Sequence, residues 1–305
     1  MKTLSYYFKH PQDTLYYTFL KFAHYLPDKM HLKILFRLEM GKRLNLRNPR
    51  TFCEKLQWLK LYNRKPEYTK MVDKLLAKEY VASKIGSEHI IPVLAIWDNT
   101  EDINFDILPN KFVLKTTHGG GSGGVYICKN KKTLDRKEAL EIMRCAMKQD
   151  IYQSRVEWPY KDVKKRIFAE QFMVDDSGNE LKDYKILCFN GCPTYIEVDS
   201  GRYGNHIRNI YDTAWNLLPI SIGYKNDLSV HFERPDRLDE MVEYARVFSE
   251  GIPFLRTDFY VINNKIFFGE LTFFQRSGMT PFVPSEMDLK FGELIKLPQK
   301  HTSIK

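Results

Sequence analysis

The chain has 305 residues, 43% of them hydrophobic and 28% charged, and carries a net charge of +9. That balance describes a globular protein with enough chain for one large domain or two to three small lobes. No run of about 18 apolar residues and no basic leader before a short apolar stretch occurs, so neither a membrane span nor secretion is expected.

The five cysteines (Cys53, Cys128, Cys145, Cys188, Cys192) are odd in number, scattered and without a C-x-x-C pair, as reduced cytosolic thiols would be. The eight histidines show no metal-ligand spacing, so a zinc site is not expected. Charge is unevenly placed. Residues 1–50 hold ten Lys and Arg against Asp13, Asp28 and Glu39, a net of +7. A basic, aromatic-rich start suits nucleic acid, an anionic membrane or an acidic polymer, and equally a plain solvated face.

Leu15, Phe19, Phe22 and Leu26 recur at helical spacing, as do Leu32, Leu35, Phe36 and Met40. Thr51 with Glu54 forms a capping box that opens a third helix bearing Phe52, Leu56 and Leu59 on one face. Residues 1–65 therefore read as a helical cap. A longer helix is expected over 66–85, stopping at Gly86 and carrying Asp73-Lys74 and Lys78-Glu79. Residues 90–97 and Phe112–Thr116 read as strands.

The second strand runs into Lys115-Thr-Thr-His118 and then five glycines in six positions: Gly119, Gly120, Gly121, Gly123 and Gly124, with Ser122 among them. Such a loop can turn several backbone N–H groups toward an oxyanion. The β-like run Val125–Cys128 follows it, where a Walker A loop or a dinucleotide fingerprint would open a helix. What remains is a strand–loop–strand hairpin lying over phosphates, or a flexible surface turn; Lys115 on the entering strand favours the phosphates.

Residues 134–149 form an amphipathic helix, and 167–173 an apolar strand interrupted by Glu170, with a turn at Asp175-Asp176. Strands at 182–189 and 194–198 flank Asn190-Gly191, a strong hairpin signal, and Lys185 lies mid-strand. Residues 158–163 and 199–213 read as loops, the latter with Arg202, His206 and Arg208. A helix at 237–250 closes at Gly251. A last hairpin, Phe254–Ile262 and 265–273 around Asn263-Asn264, carries Arg256, Asp258 and Glu270 inside an apolar pattern. Arg256 and Asp258 share a strand face, and Glu270 falls nearly opposite. Two carboxylates and an arginine there suit Mg²⁺ and phosphate; the bland alternative is an exposed salt bridge. A short helix at 288–295 ends the pattern.

In chain order Lys74, Lys115, the glycine loop, Glu170, Lys185, Arg256, Asp258 and Glu270 resemble the ATP-grasp superfamily. VLKTTHGGGSGGV is similar to its lysine strand and flap, IFAEQFM to its adenine-reading hinge, and LRTDFYVINNKIFFGELTFFQRSGM to its metal-binding hairpin. DKLLAKEYV, IPVLAIWD, LPNKFVLK, EWPYK, DYKILCFNG, EVDSGRY with NHIRNIYD, and FGELTFF resemble the TupA-like (teichuronopeptide biosynthesis) family within it, over roughly residues 30–298.

The resemblance implies an α+β (α/β) ATP-grasp fold whose two lobes sandwich ATP between mixed or antiparallel sheets. Residues 66–173 would be the small lobe with the flap, 174–298 the large lobe with the hairpin, and 299–305 a tail. It implies a cytoplasmic carboxylate–amine ligase that uses ATP and Mg²⁺ to join an amino acid to a uronic-acid saccharide of a bacterial polysaccharide. Contact with the inner face of the membrane or with lipid-linked saccharide fits that role, and nucleic acid does not.

By the same resemblance Lys74, Lys115, His118 and the 119–124 loop would bind the phosphates, and Glu170, Gln171, Phe172 and Met173 the adenine. Asp175 or Asp176 would reach the ribose. Asp258 and Glu270, with Thr272, would hold Mg²⁺. Arg256, Lys115 and Lys185 would be catalytic, and Arg202, His206, Arg208 and Arg276 would meet the acceptor. Many ATP-grasp enzymes have Glu-x-Asn where this chain has Glu270-Leu271-Thr272, and Arg276 stands in the turn where Pro-Gly is usual.

Three other readings use parts of the pattern. A kinase-like phosphotransferase would explain the glycine loop, but no H-R-D-x-x-x-x-N and no D-F-G follow. A glycosyltransferase would want a D-x-D motif, which does not occur. A polyanion-binding protein would use the basic start and leave Asp258 and Glu270 idle.

Overall fold

The computed structural model describes residues 11–120, 123–175, 181–201 and 206–299. The chain opens with helices α1 (Pro11–Phe22), α2 (Asp28–Met40) and α3 (Phe52–Tyr62). The capping box of α3 is formed: the Thr51 side chain accepts from Glu54 N, and the Glu54 carboxylate accepts from Thr51 N. It points Phe52 edge-on at Phe254, Phe282 and Phe291, tying the N-terminal helices to the main core.

The single helix expected over 66–85 is two, α4 (Glu67–Val72) and α5 (Lys74–Ile85). Asp73 sits between them in extended conformation and accepts from Leu75 N and Leu76 N as the N-cap of α5. The break frees Lys74 N to donate to Thr117 O at 3.0 Å, docking the start of α5 on the glycine loop.

Strands β1 (Val93–Trp97), β2 (Phe112–Thr116), β3 (Val125–Cys128) and β4 (Ile167–Gln171) form an antiparallel sheet in the order β1-β4-β2-β3. One face packs on α6 (Arg136–Met147): Phe112, Leu114, Ile167 and Ala169 against Ala139 and Met143. Period-two alternation turns Val113, Lys115, Phe168 and Glu170 to the other face. Past α7 (Ile151–Arg155), the expected loop at 158–163 contains a 3-10 turn over Trp158–Tyr160.

The second sheet holds β5 (Asp183–Phe189), β6 (Cys192–Ser200), β7 (Ile207–Asp212), β8 (Leu217–Leu218), β10 (Phe254–Ile262) and β11 (Lys265–Thr272). Its order is β11-β10-β5-β6-β7-β8, again with antiparallel neighbours. A ribbon pairs β9 (Ser221–Ile222) with β12 (Phe282–Val283). Both predicted hairpin turns form, with positive φ at Asn190 (50°), Gly191 (81°), Asn263 (50°) and Asn264 (57°). Helix α8 (Leu238–Ser249) buries Met241, Ala245 and Phe248 against the apolar face of this sheet, and α9 (Met287–Leu294) closes the chain.

β7 corrects the expectation of a loop over 199–213. Its Arg208 and Asn209 are buried polar residues, and each is satisfied: Arg208 by acids, and Asn209, whose side-chain amide donates to Asp227 O and Val230 O. Among the described residues no helix is long and apolar enough to cross a membrane.

Candidate functional site

The face of the large sheet away from α8 carries a row of charge across five neighbouring strands. Register sets Asp258 opposite Glu270 on β11 and Lys185 on β5, Asp183 opposite Asp199 on β6, and Asp199 opposite Arg208 on β7. All of these but Glu270 are buried, so each must be paired. The Arg256 guanidinium donates to both Asp258 oxygens (2.6 and 2.8 Å) and to Glu270 Oε1 (2.7 Å). Lys185 Nζ donates to Asp258 Oδ2 (2.7 Å) and Asp183 Oδ2 (2.6 Å) and lies 3.6 Å from Asp199 Oδ2. Arg208 grips Asp199 through two bonds (2.6 and 2.8 Å) and lies 3.2 Å from Glu197.

Electrostatics differ across the row. Burial pushes the Asp258 carboxyl up, against the downward pull of Arg256 and Lys185. Burial also acts to raise Glu270, but Lys74, Arg256, Lys185 and Lys115 overrule it and hold that carboxyl at about 2. Burial works against the charge of Arg256; Asp258 and Glu270 outweigh it, so its pKa is raised. The Glu270 side chain is 32% exposed, which makes it the accessible acid of the row. Thr272 Oγ1 donates to Glu270 Oε1 at 3.3 Å. Among the described residues no group of three or more His, Cys, Asp or Glu is placed to hold a metal.

The small sheet and α5 supply the facing cations. Glu170 is buried on β4 between Lys115, which touches Oε1, and Lys78, 3.2 Å from Oε2. Its burial is overruled by these two ammoniums, which hold the carboxyl low. Lys74, at the start of α5, donates to Gly119 O in the glycine loop and lies 3.7 Å from Glu270 Oε2. It joins loop to hairpin.

Two of the loop glycines are required by close approach. A Cβ at Gly119 or Gly124 would stand 2.6 or 2.7 Å from Thr116 Oγ1, which fills the mouth of the loop. His118 is buried with Nε2 on Ala146 O at 3.1 Å, and burial lowers its pKa. Gln171 ends β4 at the surface, its N donating to Pro92 O, with Phe172 and Met173 half-buried beyond it. The Asp175 carboxylate accepts from Asn263 N at 2.8 Å, in the turn of the acidic hairpin. Gly121, Ser122, Asp176 and Arg202 lie outside the described residues.

Of the remaining candidates, His206 and Arg208 gather with Arg276 around Tyr224. The two guanidiniums lie 4.4 and 4.7 Å from its ring centroid and the imidazole 4.3 Å. Arg208 is 5% exposed and committed to acids, whereas Arg276 is exposed, its Nε donating to Thr280 Oγ1. Arg276 sits in the turn Gln275–Gly278, where Arg276 and Ser277 both adopt left-handed conformations (φ 46° and 57°).

That turn is held by residues the sequence reading missed. Gln57 Nε2 donates to Ser277 O and Gly278 O, and Lys60 Nζ to Ser277 O (2.9 Å), Ser277 Oγ (2.6 Å) and Arg155 O (2.9 Å). Both are wholly buried. Their signal was their place at i+4 and i+7 from Cys53 on the apolar face of α3, where a solvated lysine has no room. Burial lowers Lys60 to about 8 against the pull of Glu157, whose own carboxyl burial raises.

Several solved structures are similar at low sequence identity. D-alanine–D-alanine ligase from Bacillus anthracis complexed with ATP has 14% identity over 74% of this chain and 63% of that one, with a TM-score of 0.43. The Helicobacter pylori ligase has 16% identity over 82% and 70%, with 0.42. An ATP-grasp RimK domain protein from Sphaerobacter thermophilus has 10% over 77% and 70%, with 0.41. The chain thus spans under two thirds of the first of these. No curated protein matches it. The family model described as TupA-like ATPgrasp matches residues 54–296, from the capping-box glutamate to just past the last described helix. The chain belongs to the TupA-like ATP-grasp family.

Proposed function

We propose that this chain is an Mg·ATP-dependent carboxylate–amine ligase that joins an amino acid to a sugar acid of a capsular or exopolysaccharide, or to its lipid-linked precursor. The observation that carries the reading is the position of Lys74, which touches the glycine loop of one sheet and the accessible acid of the other. A triphosphate lying between the sheets would meet Lys74, Lys115 and the loop at one end and the hairpin acids at the other. The residues fit Mg²⁺ in its usual mode of one or two carboxylates plus nucleotide phosphates: Glu270 is ionised and accessible, with Asp258 opposite.

Magnesium, when bound, supplies charge neutralisation at the transferring phosphoryl group. The acceptor carboxylate attacks that group and ADP leaves; the amine then attacks the acyl carbon, and phosphate leaves. Arg256 can release an acid to face the developing charge, being the guanidinium that now covers Asp258 and Glu270. Lys185 pulls the Asp258 carboxyl down from behind, against its burial. Arg276, exposed beside Tyr224, is the cation best placed to receive an acidic saccharide, with His206 near it; Arg208 acts through Asp199. Gln171, Phe172 and Met173 border the adenine, and Asp175 faces the ribose side. The enzyme works in the cytoplasm, at the inner face of the membrane where lipid-linked saccharides are made.

Turnover of Mg·ATP should be followed with amino acids paired against uronic acids, for the wild type, Asp258→Asn and Glu270→Gln. ADP and phosphate that depend on both acids and on an acceptor pair are expected. Release of AMP and pyrophosphate would rule out the acyl phosphate, and a stable phosphoester product would favour the kinase reading.

A further inference from the structure

The N-terminal helices turn two kinds of side chain to solvent that do not usually share a face. Ala23, Leu32, Leu35 and Phe36 supply the buried side of this region. On the outside, at the junction of α1 and α2, Phe22 is 62% exposed, Tyr25 77% and Met30 52%. Lys21, Lys29 and Lys33 are exposed among them, the last two one helical turn apart.

Among the residues whose side chains are described, the acids of these helices are engaged by the fold. Asp28 accepts from Arg64 and from Tyr152 OH, and Glu39 accepts from Arg155 and Tyr16 OH. Positive charge is therefore left on the surface and negative charge is taken into the fold. Phenyl and thioether groups raised among ammoniums gain nothing from water. At a bilayer interface they enter the acyl boundary while the lysines meet headgroup phosphates. A nucleic acid or an acidic polysaccharide would use the cations but give Met30 no partner.

We infer that this corner, formed by Phe22, Tyr25 and Met30 with Lys21, Lys29 and Lys33, is a docking surface for an anionic lipid bilayer. It gives a structural basis to the membrane-side location proposed above and does not depend on the ligase chemistry.

Flotation of the full chain with phosphatidylcholine vesicles, with and without phosphatidylserine, tests it. Binding to the phosphatidylserine vesicles alone is expected. Lys21→Glu/Lys29→Glu/Lys33→Glu should weaken it by about a hundredfold or more, and Phe22→Ser/Tyr25→Ser/Met30→Ser, losing half-inserted apolar groups, by about a hundredfold. These positions are exposed, so both variants should keep the wild-type melting temperature and ATP turnover in solution; turnover lost in the wild type as well would count against the ligase and leave this surface standing. Wild-type protein that ignores the vesicles would overturn the inference. So would a serine variant that binds as tightly as wild type, or binding to single-stranded RNA in place of vesicles.

Discussion

Lys60 offers the sharpest test of how the N-terminal helices serve the site. Its ammonium is wholly buried, donates three hydrogen bonds and faces Glu157 across the turn that presents Arg276. Lys60→Met takes away the larger of two cationic pulls on Glu157, that of Arg155 remaining, and takes a donor from the Ser277 and Arg155 carbonyls, each buried acceptor left unmet costing about 1–3 kcal/mol. Protonation of Glu157, whose carboxyl is already raised, pulls the expected loss to the lower end. The pH dependence has a definite sign. Lys60 falls from 10.5 unfolded to about 8 folded, so between those values the unfolded chain binds more protons and wild-type stability rises with pH. The shift corresponds to about 3 kcal/mol. Lys60→Met lacks this gain, so its deficit should widen over that window. Guanidinium unfolding of both proteins at neutral and alkaline pH measures it. A deficit below about 1 kcal/mol at neutral pH, or one that stays flat as the pH rises, would refute the placement of a charged Lys60 against Glu157.

Three further outcomes are expected. Gly124→Ala sets a Cβ 2.7 Å from Thr116 Oγ1; it should cost about 1–3 kcal/mol and weaken nucleotide binding by calorimetry. Thr116→Ala in the same chain should restore both, because that hydroxyl has no hydrogen-bond partner to lose. Glu270 is held at about 2 against an ordinary 4.5, so its stabilisation is complete above 4.5 and is lost as pH falls from 4.5 to 2. The side chain is a third exposed, which reduces the effect to about 1 kcal/mol; acid unfolding of Glu270→Gln should lack that component. Asp73→Ala removes the cap of α5 and should lower stability by about 1 kcal/mol, read from thermal melts, with helix content held or raised if α4 and α5 fuse.

The hairpins and the small-sheet strands were legible because their signals are local. Asn190-Gly191 and Asn263-Asn264 demand positive φ, and the runs around them alternate with period two. Phe112–Thr116 and Val125–Cys128 form with the bounds read from the sequence. Hairpin register then brought Arg256, Asp258 and Glu270 together. What was not legible depends on partners far along the chain. β7 looked like a loop because Arg208 and Asn209 are polar, and only Asp199, Glu197 and the 227–230 segment make their burial affordable. The break at Asp73 was hidden because apolar spacing continues through it, while the reason for it, the bond from Lys74 N to Thr117 O, lies more than 40 residues away. Lys60 and Gln57 were missed because a cap was read as packing alone.

The charged row also explains why a sheet with so many buried ions holds one register. Aspartates on β5, β6 and β10 share three cations, and Lys185 contacts one aspartate on each of those strands. A one-residue slip of β10 would turn Asp258 and Arg256 to the α8 face, against Ala245 and Phe248, and leave Lys185 with fewer acids than its desolvation requires. The same pairing keeps the acids poised. Asp258 lies under Arg256 and Lys185, so a metal held there as proposed would have to displace the guanidinium, whereas Glu270 has an oxygen toward Lys74. Lys185 can stay where it is, since it also contacts Asp183 and Asp199. On the proposed function the row would separate two duties: Lys185 and Arg208 would fix the strands, and Arg256 would be the cation whose partners the cleft exchanges.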